Sequence, residues 1–443
     1  MSRSWAFITS LAVLSSFSVA RADVLALTNA HIYSMGPAGE IASGVVLIEN
    51  GKIAAVGPAV AVPENARKWD VAGRIVTPGF IMAGTTLSIV DLPEYGILDD
   101  SATANPKVSA GYDVQYSVNP ENVEIVDARA DGVTSALVTP GVEQHTGAGG
   151  LFFGGQAALI HLSDEPDLLV KAHTGVTMEA GAEGAGLVGG GRGAEMVLLR
   201  DILADVRRFA ADRKDYDQVR MRQLDLSAID LEALVPVVSG AVPLLVHVDR
   251  VADIRNVLKL AKEERIKVVL VGAQEAWVVA REIAAAGVPV IIDPEANIPE
   301  GLNTLAATYE NAARLDAAGV VVAFQAVHAR PHYLIRSPRV VVGHLVGQSG
   351  LPYTAALAAL TINAAKIAGT ADRMGSIAPG KTADLVVWNA DPLEVSSYPE
   401  RVFIAGREQS LVTRQQTLGE RYLKKYRESG VIPLTATAVP SGK

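Results

Sequence analysis

"VPLLVHVDRVADIRNVLKLAKEERIKVVLVGAQEAWVVAREIAAAGVPVIID", residues 242–293, decides the fold. Three continuous apolar runs of strand length, "VPLLVHV" (242–248), "KVVLVG" (267–272) and "VPVIID" (288–293), alternate with "ADIRNVLKLAKEE" and "EAWVVAREIAAAG". The two intervening segments repeat their apolar residues at helical spacing. Strands without alternation are buried on both faces, the mark of a parallel sheet covered by helices. Gly287 follows the second helical run and stops it before the next strand.

Working outward, "GFIMAGTTL" (79–87), "TSALVTP" (134–140), "AALIHL" (157–162), "GVTMEAG" (175–181) and "GVVVAFQA" (319–326) supply five more strands. Eight in all predict an α/β fold, a TIM-like (β/α)8 barrel over residues 79–375. The stretch Leu92 to Val126 has no clear periodicity and reads as a long loop after the first strand, a position from which loops roof barrel sites.

The flanks are different. Residues 23–78 alternate in short strands, with Asn50-Gly51 in the middle of "GVVLIENGKIAAVG". Asn-Gly accepts positive φ at both positions of a type I′ turn, the strongest short-range hairpin signal. A second strand-rich segment, "GSIAPGKTADLVVWNADP" followed by "ERVFIAGREQSLV", falls in residues 376–425, which also take in a C-terminal helix. The two flanks predict one small β-sandwich built from both chain ends, with residues 426–443 as a tail.

A chain of 443 residues suits one large domain with a smaller companion. The net charge of -9 and a pI near 5.5 argue against a non-specific nucleic-acid binder or a binder of anionic membranes, since either needs clustered Lys and Arg. A small-molecule substrate or ligand is the expected partner. There is no cysteine, which removes thiolate zinc sites, thiol nucleophiles and disulfides, and leaves any metal to His and carboxylates. At the N-terminus, Arg3, the short apolar "AFITSLAVLSSFSV" and Ala20-Arg21-Ala22 have the form of a secretory signal cut before Asp23. The apolar core is shorter than the roughly 20 residues of a membrane span. The expectation is a mature protein exported to the periplasm or beyond, without a membrane anchor after cleavage of residues 1–22.

Reacting groups of such barrels lie at the C-terminal ends of strands. His247, after the apolar run of the fifth strand, is the first candidate for a proton shuttle or metal ligand; the alternative is a hydrogen-bonded structural His. Glu179 and Asp293 are candidate catalytic carboxylates, although Asp293-Pro294 also reads as a turn. Asp249 and Arg250, read as a possible ion pair or, more plainly, as a helix N-terminal acid and a solvated Arg, together with Gln274, Gln325 and Thr86 are candidate substrate-binding groups. "EAGAEGAGLVGGGRGAEM" (179–196), with seven glycines between 181 and 193, lacks the Gly-Lys-Ser/Thr ending of a P-loop and reads as a lid or strand-to-helix connector. His145 lies in another glycine-rich loop, where exposure is the plainer account. His328 and His332 are four apart, but Pro331 between them argues against a helix that would pair them. No Gly-x-Ser-x-Gly elbow supports a serine hydrolase.

Three stretches, "VLALTNAHIYSM...GVVLIENGKIAAVG", "RIVTPGFIMAGTT" and "ALTINAAKIAGTADRMGSIAPGKTADLVVWNADPLE", make the chain resemble the amidohydrolase superfamily, particularly its imidazolonepropionase-like and prolidase-like members. The resemblance implies a hydrolase of amide or cyclic amide C–N bonds with a zinc site. It also implies where ligands should stand. The first-strand His-x-His pair falls on Gly84 and Thr86, the fifth-strand His on His247, the sixth-strand His on Gly272, and the eighth-strand Asp on Ala326 or Val327. A bridging carboxylate on the fourth strand could at best be Glu179. With three protein ligands the usual minimum for catalytic zinc, His247, Glu179 and a displaced His328 are the remaining weak candidates. Two outcomes stay open: a hydrolase with a degenerate metal site or none, or a catalytically inactive barrel that binds a ligand or partner. A homo-oligomer is a further expectation, with "RYLKKYRE" a segment that could serve it.

Overall fold

The computed structural model describes residues 24–91, 99–105, 107–142, 152–296, 298–326 and 338–429. The expected N-terminal signal, His145, His328, His332, Val327 and the last fourteen residues lie outside these.

Both chain ends meet in one eight-stranded sheet. It contains β1 (Val24–Tyr33), β2 (Glu40–Glu49), β3 (Lys52–Gly57), β4 (Arg67–Asp70) and β5 (Ile75–Pro78) from the first segment. From the last segment come β14 (Leu385–Trp388), β15 (Pro399–Ile404) and β16 (Arg407–Glu408), and β14 pairs antiparallel with β5. The β2–β3 hairpin turns at Asn50 and Gly51, with φ of 50° and 78°, as the sequence predicts. A Cβ on Gly51 would stand 2.6 Å from the Ala405 carbonyl oxygen, so this turn also needs glycine for the approach of the β15–β16 turn.

The second sheet holds the other eight strands: β6 (Phe80–Thr85), β7 (Val133–Val138), β8 (Phe153–His161), β9 (Leu169–Glu179), β10 (Leu244–Val248), β11 (Val268–Gly272), β12 (Val290–Ile292) and β13 (Val322–Phe324). Neighbours follow chain order from β6 to β13. The Ala326 amide donates to the Gly84 carbonyl at 2.9 Å, linking the two edges of a nearly closed barrel. From β9 onward the strands are parallel.

One strand departs from the expectation of eight parallel strands. β8 runs antiparallel to both β7 and β9, so it descends from the mouth and returns through the short turn at 162–168. The reason is length: a parallel crossover needs a dozen or more residues, and seven join these strands. The expected loop to Val126 also ends early, in a helix over Val123–Arg129 capped by Asn122.

The lumen is filled by Ile81, Ala83, Leu137, Ala157, Leu159, Leu245, Val269, Val271, Ile291 and Ala323. Ala364, Ala365, Ile367, Ala368 and Met374, from the segment around the helix Ile362–Ile367, join the same buried cluster. Trp388 is fully buried, donates from Nε1 to Thr77 Oγ1 at 2.9 Å within its own sheet, and packs its ring 5.2 Å from that of Phe80, a contact that joins the sheet of the two ends to the barrel. Among the described residues no helix is long and apolar enough to cross a membrane.

Candidate active site at the barrel mouth

Side chains two apart on a strand share a face. Leu245 lies in the lumen cluster, so His247 on β10 points into the lumen one layer nearer the mouth. Its partner on β9 in the parallel register is Glu179, and on β11 it is Val271. The strands therefore bring the imidazole and a carboxylate side by side, and both residues are half-buried. The backbone supports the pairing: the Ala180 amide donates to the His247 carbonyl at 2.9 Å.

Asp249 stands two residues beyond His247. Its Oδ1 accepts from the Gln274 amide at 3.2 Å. Burial pushes its carboxyl above the usual carboxylate range; the Gln274 amide and His247 oppose that shift, and Glu179 and Glu275 add to it. Of the two readings of Asp249 and Arg250, the ion pair is not formed: Arg250 is exposed at the start of the helix Val251–Glu264, as the reading of a solvated Arg had it, and Asp249 is taken up by the β11 turn. Gln274 is half-buried, and its Oε1 meets no hydrogen-bond donor among the described residues.

Asp293 is brought to the mouth, but as a turn residue. It is 4% exposed, and its Oδ1 accepts the Glu295 amide at 2.8 Å, the turn that was the alternative reading of Asp293-Pro294. Gln325 is buried with its Cβ packed over Gly84. Thr86 is half-buried, while it is the neighbouring Thr85 whose Oγ1 accepts the Leu87 amide. The glycine-rich segment is a connector, as one of its two alternatives had it, folded as short helix Ala182–Leu187 and long helix Arg192–Ala211.

Several groups that shape the mouth are silent in the sequence. Glu275 is 6% exposed and accepts the Val251 amide with Oε2 at 2.9 Å and the Ala306 amide with Oε1 at 3.0 Å, so one carboxylate caps a neighbouring helix and holds the 294–310 loop. Arg192 donates to Asp253 at 2.9 Å and to Asn303 at 2.7 Å, tying the β9 connector to that same loop. Glu195 is fully buried; its Oε2 accepts the Gly181 amide at 3.1 Å, and desolvation raises its carboxyl to about 7. An acid just before a helical run was visible at Glu275, but its partners come from other elements.

The zinc implied by the resemblance can be tested on these side chains. A Cβ on Gly84 would stand 3.2 Å from Gln325 Cβ, and a Cβ on Gly272 would stand 2.8 Å from Asp249 Oδ1. Both supposed ligand positions are therefore glycines whose space neighbouring side chains already occupy. Among the described residues no three His, Asp or Glu side chains gather as a metal-holding group. The described residues do not fit a tetrahedral zinc site with three protein ligands.

A family model described as amidohydrolase family matches residues 269–409. The curated amidohydrolase tasK of Hapsidospora irregularis is 28% identical over 407 residues, covering 83% of this chain and 40% of that protein. The chain thus spans two fifths of the length of that relative. The crystal structure of an amidohydrolase from Thermotoga maritima MSB8 superposes with a TM-score of 0.75 at 27% identity, over 87% of this chain and 99% of that one. An adenosine deaminase from Xanthomonas campestris, solved with bound zinc, shares the fold at a TM-score of 0.51 and 18% identity, over 91% and 98% of the two chains. The barrel and the two-ended sheet are the architecture this chain shares with the Thermotoga maritima amidohydrolase. Fold and matches together bear out the likeness read from the sequence: the chain is similar to members of the amidohydrolase superfamily.

Proposed function

We propose that the protein is an exported hydrolase of amide or cyclic amide C–N bonds that works at the barrel mouth through its own acid and base groups. The observation that carries this is the register pairing of His247 with Glu179, with Asp249 one layer above. In the proposed reaction the His247 imidazole takes a proton from water as the water oxygen attacks the carbonyl carbon. Glu179 orients the ring and balances the imidazolium charge. Asp249, whose carboxyl is held up by burial, gives its proton to the leaving nitrogen as the C–N bond breaks, and His247 then returns a proton to Asp249 through solvent. Gln274 and Gln325 are assigned to the substrate amide, and Arg250 at the exposed rim to a substrate carboxylate.

Hydrolysis of a panel of p-nitroanilides and cyclic amides by the parent, His247→Ala and Asp249→Asn tests this, with metal content of each measured by elemental mass spectrometry. Turnover abolished in both variants, with unchanged melting, supports it. Turnover that follows bound zinc and survives in Asp249→Asn overturns it. The occupied spaces at Gly84 and Gly272 favour a second reading, a barrel that binds a small ligand without turning it over; saturable binding with no turnover across the panel would select it.

A further inference from the structure

The net charge of the chain hides one basic segment. The helix Arg414–Glu428, "RQQTLGERYLKKYRE", has no buried residue and is tied to the barrel at its first turn, where Gln415 donates to Asp127. Leu418, Tyr422 and Tyr426 recur every four residues, and Leu423 extends the same face. Leu418 is half-buried, whereas Tyr422, Leu423 and Tyr426 are 50%, 41% and 44% exposed. Arg414, Arg421, Lys424, Lys425 and Arg427 supply five positive charges against Glu420 and Glu428, and four of the five lie in the second half.

We propose that this helix docks the protein on an anionic phospholipid surface, lying in the interface with Tyr422, Leu423 and Tyr426 inserted and the basic side chains among the headgroups. Interfacial helices combine low overall hydrophobicity, one apolar face and a Lys/Arg-rich polar face. Tyrosines suit that depth, since the ring is apolar and the hydroxyl stays wet. Lys and Arg lay their stems along the apolar strip and keep their charges at the phosphates. Charge decides the occupant. A second copy would bring together two helices with a net charge of +3 each, five bases less two acids, and they would repel. The rest of the chain is acidic and repelled by the same surface, so contact is confined to this helix.

Sedimentation of the full-length chain with phosphatidylglycerol-containing vesicles, beside phosphatidylcholine vesicles, tests the assignment. Three proteins are compared: the parent, Lys424→Glu with Lys425→Glu, and Tyr422→Ser with Tyr426→Ser. All share one N-terminus, and all four positions are exposed, so melting and circular dichroism should match. The expected result is binding to the anionic vesicles that weakens with salt and falls at least about tenfold in each double variant. Equal binding by all three proteins, or none by the parent, overturns the proposal. So does a parent that dimerises without vesicles and loses the dimer in the Tyr422→Ser, Tyr426→Ser variant, since the face would then belong to a second copy.

Discussion

Asp249 Oδ1 occupies the space beside Gly272 that any side chain would need, 2.8 Å from where a Cβ would stand, and Gly272 itself has a φ of 77°. Turn and carboxylate are thus one unit: the left-handed residue ends β11, and the Gln274 amide that follows holds the acid at 3.2 Å. Gly272→Ala should destabilise the fold by roughly 1–3 kcal/mol, from backbone strain and displaced carboxylate together. Urea unfolding measures it, and a change below about 0.5 kcal/mol would show that Asp249 yields freely.

Glu195 sets a pH dependence whose sign follows from its burial. In the folded protein its carboxyl is raised from 4.5 to about 7, mainly by desolvation. Between those two values the native state keeps a proton that the unfolded chain has lost, so stability falls as pH rises through this window and levels off above it. The total is on the order of 3 kcal/mol. Glu195→Gln keeps the shape without the charge and should flatten that decline, gaining most against the parent near pH 8. Parallel stability curves for the two proteins from pH 4.5 to pH 8 would contradict it.

What the sequence made legible was decided by local signals. Asn50-Gly51, the apolar runs of β10 to β12 and the helices between them each specify their conformation within a few residues. The direction of β8 was less legible, because the twelve residues "SDEPDLLVKAHT" between the two expected strands are enough for a crossover, and it is the start of β9 at Leu169 that shortens the connection to seven. The site was less legible. His247 could be placed by its strand, but its facing Glu179 depends on the register of β9 with β10. Gly84 and Gly272 read as missing ligands, whereas the side chains that fill their space, Gln325 and Asp249, come from other strands. Glu195, inside a glycine-rich segment, carries no local signal, because burial of a carboxylate is a tertiary fact.

Asp249→Asn tests the proton donor proposed for the leaving nitrogen. The acid works only while protonated, and its carboxyl is raised by burial, so the protonated form persists to higher pH than for an ordinary Asp. The parent should therefore lose kcat as pH climbs through that raised value. The variant should drop at least about a hundredfold in kcat on anilides and lose the alkaline limb, with KM little changed. A retained alkaline limb in the variant would assign it to another group.

Arg192 fastens two segments of the rim, and the prediction for Arg192→Ala separates that role from chemistry. Its guanidinium bridges Asp253, on the helix after β10, and Asn303, in the loop after β12. Removing it leaves the Asp253 carboxylate, 6% exposed, without this cation, at a cost of roughly 1–2 kcal/mol because the arginine itself is partly open to water. The larger effect should be local. Amide hydrogen exchange should accelerate in residues 180–191 and 298–306 and stay unchanged in β10 and β11, where no hydrogen bond depends on Arg192. On a substrate that the parent turns over, KM should rise several-fold with kcat nearly constant, because the rim positions the substrate while His247, Glu179 and Asp249 remain in place. A kcat loss as large as that of Asp249→Asn would instead put Arg192 in contact with the reacting group.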